Sequence, residues 1–153
     1  MYHTILIPLD TTSSDQTILK HIRPLAKLCK SKLILLHVAD GWAARNFGPE
    51  ALSTEVVADH AYLQKLKLQL EHEGFDVEAE LAFGNPADEI IRWVKRCHCD
   101  LIAMTTHGHR FLADLLLGAT ATKLQHELST PILVLKDKKQ ARDKHTVKAN
   151  QTN

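Results

Sequence analysis

No apolar run in this sequence comes near the roughly twenty residues a helix needs to cross a bilayer. The N-terminus, MYHTILIPLDTTSSD, has neither a basic leader nor a small-residue cleavage site. The two absences predict a cytoplasmic protein without membrane insertion. Cysteine is scarce and odd in number, with Cys29, Cys97 and Cys99, which argues against a disulfide framework. Cys97-His98-Cys99 lacks a second ligand pair at zinc spacing, and alternate positions on a helix point apart. The ten histidines show no HExxH, so no metal site of the chain's own is expected. Aromatic residues make up 5% of the chain. Trp42 and Phe47 aside, none lies in a loop where a flavin ring would stack. There is no G-x4-G-K-(S/T) loop and no G-x-S-x-G elbow, which removes P-loop and nucleophile-elbow chemistry.

What is present is an ordinary globular composition, 44% hydrophobic and 24% charged, over 153 residues. That is one domain with room for a real core. Charge is uneven. Residues 136–153 carry Lys136, Lys138, Lys139, Arg142, Lys144 and Lys148 against Asp137 and Asp143, a net +4, leaving the body at −3 within a total of +1. A mildly acidic body is not a nucleic-acid signature. Residues 137–153 read as a basic, disordered tail.

Apolar runs at Thr4–Leu9, Lys32–Val38 and 100–104, a last one at Ile132–Leu135, and an alternating stretch at Phe75–Ala82 read as strands. The alternating stretch belongs at a sheet edge. Helical patterns lie between them. The first opens on a Ser13/Gln16 capping box and is kinked or split by Pro24. The second runs over Ser53–Glu73 with Val56, Leu63, Leu66 and Leu70 on one face and Gly74 as its stop. The third is capped by Asn85 with Pro86 at its first position, and the fourth runs from Gly118 to Ser129. The alternation predicts an α/β, three-layer Rossmann-like sandwich whose five parallel strands run in the order 3-2-1-4-5. Ligands of such sheets sit where strand order reverses, here between strands 1 and 4. Asp10 ends the first, and Thr105 to Gly108 end the fourth.

ILIPLD at 5–10, LILLHV at 33–38, GNPADEII at 84–91, DLIAMTTHG at 100–108, LLLGATA at 115–121 and PILVLK at 131–136 together resemble the universal stress protein family, of the UspA type. The resemblance covers about residues 2–136. It implies a fold related to adenine-nucleotide hydrolases and a pocket for ATP or AMP, alone or with Mg. The family's G-x2-G-x9-G-(S/T) becomes Thr105-x2-Gly108-x9-Gly118-Ala119. Two glycines are kept, Thr105 narrows the site, and Ala119 removes a hydroxyl. The backbone N–H groups of Ala119, Thr120 and Ala121 still belong to a helix start, where an anion is favoured.

By the same resemblance Asp10 faces the nucleoside end and Val38 offers backbone groups to the adenine edge. Pro8 and Leu9 line the adenine pocket, Met104 borders it, and His107 meets the phosphates. His109 and Arg110 follow in the loop, placed by position to neutralise phosphate charge. Asp10 is the only acid at the crevice, so little or no turnover is expected and no catalytic residue is assigned. The family resemblance also implies a homodimer through the last strand, where Ile132, Leu133, Val134 and Leu135 form an apolar edge. The competing expectation is a dimeric interaction module with an empty, degenerate pocket. A flavodoxin-like carrier is the remaining option, with Thr11-Thr12-Ser13-Ser14 as its phosphate loop.

Overall fold

The computed structural model describes residues 1–39, 54–105 and 119–135. Its strands are β1 (Thr4–Leu9), β2 (Lys32–Ala39), β3 (Asp76–Phe83), β4 (Leu101–Thr105) and β5 (Ile132–Leu135). Its helices are α1 (Ser14–Cys29), α2 (Thr54–His72), α3 (Pro86–Cys97) and α4 (Ala119–Glu127). The strands form one sheet ordered β3-β2-β1-β4-β5, every pairing parallel. The alternating strand β3 is indeed an edge. The tail 137–153 and the loop with Trp42 and Phe47 lie outside the described residues.

The two faces follow from side-chain alternation along β1 and β2. Ile5, Ile7, Leu9, Leu33 and Leu35 point to one face, against Ile18, Leu19 and Ile22 of α1 and Leu63, Leu66 and Leu70 of α2. Leu6, Ile34, Leu36 and Val38 point to the other, against Ile90, Ile91 and Val94 of α3 and Leu124 of α4. Each fully buried Leu or Ile contributes roughly 1.5–3 kcal/mol of transfer free energy. The centre of the sheet is therefore the firm platform from which the strand ends project.

Two local expectations are corrected. Helix α1 is not split at Pro24; it runs unbroken from Ser14 to Cys29. Pro24 is exposed, so the carbonyl it frees one turn back faces water. The Ser13 capping box does not form, because Ser13 already has helical dihedrals and its side chain makes no cap bond. The Thr12 hydroxyl takes the Ser14 N–H instead, at 3.3 Å. Asn85 caps α3 as its sequence suggests, accepting from the N–H groups of Ala87 at 3.0 Å and Asp88 at 3.3 Å. Replacing Asn85 by alanine should lower stability by about 1 kcal/mol in urea unfolding. An unchanged midpoint would mean that solvent serves those donors equally well.

Candidate functional site

The short pairing of β1 with β4 has a cause in the sequence. β1 pairs with β2 along its whole length, from Thr4↔Lys32 to Leu9↔His37. It pairs with β4 only at Ile5↔Leu101 and Leu6↔Ile102. The His3 carbonyl faces β2, accepting from Lys32 N–H at 2.8 Å, and the Thr4 carbonyl faces β4, accepting from Asp100 N–H at 3.0 Å. Alternation then turns Pro8 toward β4, where it has no N–H to give. The ladder stops short of it.

Asp10 follows directly. Its carboxylate is 2% exposed, and its two oxygens do different work. Oδ1 accepts from the Thr12 N–H at 3.1 Å, the Thr12 hydroxyl at 2.6 Å and the Ser14 hydroxyl at 3.2 Å. Oδ2 is buried and has no hydrogen-bond partner among the described residues. An orphaned carboxylate oxygen is costly unless a donor reaches it, from a neighbouring protonated group or from a ligand. The Thr12 and Ser14 hydroxyls are turned to this carboxylate, so the stretch is a poor phosphate loop and the flavin-carrier option is weakened.

Asp15, in the first turn of α1 and 1% exposed, holds the Asp10 turn. Its carboxylate accepts the Asp10 N–H at 3.1 Å and the Thr11 N–H at 3.0 Å, and the Tyr62 hydroxyl of α2 donates to it at 3.0 Å. Thr11 sits at φ 61°, a left-handed conformation that a β-branched residue adopts only when its surroundings enforce it. Burial pushes the Asp15 carboxyl up to about 7; the backbone bond from Asp10 works against this, and the charge of Asp10 adds to it. Burial also raises Tyr62, which keeps it a neutral donor.

A small cleft opens beside this turn. It is lined by Pro8, Leu9 and Asp10 at the end of β1, by Leu36 and Val38 of β2, and by Pro86 and Ile90 of α3. The register that ends at Leu9↔His37 gives the Val38 N–H to the Leu9 carbonyl. The next rung would take the Thr11 N–H to the Val38 carbonyl, but Asp15 has captured that N–H. On the opposite face of the sheet, buried His37 donates from Nδ1 to the Leu9 carbonyl at 2.8 Å, with Nε2 3.2 Å from Asp59 of α2.

Of the residues singled out by sequence, Pro8, Leu9, Asp10 and Val38 therefore meet at one cleft. Met104 is buried on the same face of the sheet, and Thr105, 1% exposed, ends β4. Ala119, Thr120 and Ala121 open α4. His107, Gly108, His109, Arg110 and Gly118 lie outside the described residues. Sequence reasoning missed Leu36, Pro86 and Ile90 as lining, and Asp15, Tyr62, His37 and Asp59 as supports. Asp59 was the findable one. It stands at the spacing of Leu63, Leu66 and Leu70, a charge on a buried stripe, which signals a partner. Among the described residues, no group of three or more His, Cys, Asp or Glu side chains is placed to hold a metal, and no helix is long and apolar enough to cross a membrane.

A model of the universal stress protein family matches residues 1–136. A universal stress protein of Methanocaldococcus jannaschii is 29% identical over 157 residues, spanning 90% of this chain and 97% of its own. Its solved structure aligns with a TM-score of 0.74 at 30% identity, over 91% of this chain and 99% of that one. A universal stress protein solved in complex with cAMP aligns at 0.65 and 18% identity, over 88% and 97%. One from Archaeoglobus fulgidus in complex with dAMP aligns at 0.64 and 16% identity, over 88% and 98%. At those last two identities the likeness is one of fold.

Proposed function

We propose, since the chain belongs to the universal stress protein family, that it binds an adenine nucleotide, AMP or ATP, at the β1/β4 crevice and turns it over slowly or not at all. The observation that carries this reading is the orphaned Oδ2 of Asp10. A buried carboxylate repels phosphate and accepts donors, so it belongs at the nucleoside end, where the ribose hydroxyls can donate to it. The apolar walls Pro8, Val38 and Ile90 suit the faces of an adenine ring. The N–H groups that open α4 at Ala119, Thr120 and Ala121 belong to a helix start and would donate to the phosphate end. The nucleotide would then lie with hydroxyls toward a negative group and phosphates toward a helix N-terminus. The cAMP and dAMP complexes of fold relatives support the choice of adenylate. Thr105 in place of the first loop glycine and Ala119 in place of the hydroxyl residue reduce the contacts to phosphate without removing the backbone donors. Among the described residues Asp10 is the only acid lining the cleft, which fits slow turnover or none.

In this reading the protein works in the cytoplasm as a homodimer paired through β5. Its four residues are all half-buried in the single chain, Leu133 and Leu135 packed toward one sheet face and Ile132 and Val134 toward the other. As an edge strand β5 has one side without a neighbour in the sheet. Val134→Asp should sediment as a monomer while keeping its circular dichroism. A dimer that persists in this variant would place the interface elsewhere.

Native mass spectrometry tests the binding itself. Protein stripped of ligand and mixed with AMP should carry one adenylate mass per chain. Only bare chains at millimolar AMP would overturn the reading and leave the ligand-free interaction module.

A further inference from the structure

We infer that Asp15 is the positioning residue for Asp10, and that it links recognition of ligand hydroxyls in the crevice to the release of a proton. The inference rests on the nucleotide reading above and extends it to control of the site by pH. Asp15 itself is not among the lining residues of the cleft; it acts through the turn it holds.

Two observations give it that role. The carboxylate fixes the backbone N–H groups of Asp10 and Thr11 together, and so holds Thr11 at its left-handed φ of 61°. Taking the Thr11 N–H also withholds it from the Val38 carbonyl, its partner on the next rung of the parallel ladder. One buried acid thus aims the orphaned Oδ2 and spares a backbone acceptor for the ligand.

The proton link follows from the pairing of the acids. Asp10 and Asp15 are 2% and 1% exposed and joined through one turn, so in the empty site their mutual repulsion favours one retained proton. Asp15 is the member that holds it near neutral pH. The groups that face it are Asp10 from the end of β1 and Tyr62 from α2, and Tyr62 stays neutral. The His37–Asp59 pair meets the same turn one residue back, at the Leu9 carbonyl. Hydroxyls donating to Asp10 Oδ2 supply the stabilisation the proton gave, and the proton leaves to solvent. Ligands with vicinal hydroxyls should therefore gain affinity as pH rises, and ligands without them should not.

The test compares AMP with 2′,3′-dideoxy-AMP by calorimetry from about pH 5.5 to about pH 8.5. Both probes carry the same titrating phosphate, so the ratio of their dissociation constants isolates the hydroxyls. In the wild-type protein the preference for AMP should grow by about tenfold across this range. In Asp15→Asn it should be weaker and flat, with folding checked by thermal melting. Should that variant fail to fold, the wild-type ratio alone decides. A wild-type ratio that does not change with pH, while AMP binds, overturns the proton link and leaves the nucleotide reading standing. No AMP binding at any pH overturns both.

Discussion

Asp10→Ala should bind AMP at least about 100-fold more weakly than the wild-type protein, the loss expected when a buried carboxylate that accepts two ligand hydroxyls is removed. The same change should lower stability by about 1–3 kcal/mol, because Oδ1 gathers the Thr12 N–H and two hydroxyls into the turn that opens α1. The two effects separate by ligand. The variant should bind AMP and 2′,3′-dideoxy-AMP about equally, since the group that distinguishes them is gone. If Asp10→Ala keeps wild-type affinity for AMP, the carboxylate is only a capping group and the nucleoside end lies elsewhere.

The second large effect is on stability. The Asp15 carboxyl is raised from 3.8 to about 7 in the folded chain, first by burial. Between those values the native state holds a proton that the unfolded state has lost. Stability from this group is therefore complete below about pH 4 and declines as pH rises through 7. The full shift corresponds to a cost on the order of 4 kcal/mol at alkaline pH. Urea unfolding of the ligand-free wild-type protein should show this decline, and Asp15→Asn should lack it, so that the two stability curves converge or cross as pH rises. Parallel curves would mean that Asp15 ionises in the fold as freely as in the unfolded chain. Bound AMP should flatten the wild-type curve, because it compensates the ionised pair.

Strand order and the two helix layers were legible in the sequence because they follow from apolar periodicity and the handedness of crossovers. Pro8 even announces where the β1–β4 ladder must stop. The supports of the site were less legible. Asp15 reads as an ordinary acid in a helix first turn, and nothing local says that its carboxylate reaches back to the Asp10 and Thr11 N–H groups. Ser13 and Gln16 have the right spacing for a capping box, but the turn set by Asp10 already satisfies that end of α1. Pro24 breaks helices in isolation; here its face is exposed and the core residues Ile22 and Ala26 on either side hold α1 together. Tyr62 and His37 become partners of Asp15 and the Leu9 carbonyl only when α2 and β2 are folded against β1. Such contacts lie in tertiary structure, beyond what spacing along one segment encodes.

On the reading proposed here, the β1/β4 crevice holds an adenine nucleotide. Isothermal titration of AMP into nucleotide-stripped protein at neutral pH tests it most directly. A saturable heat with one site per chain and a dissociation constant in the micromolar range is expected. Absence of any binding heat at millimolar AMP, from protein shown to be folded, would contradict it.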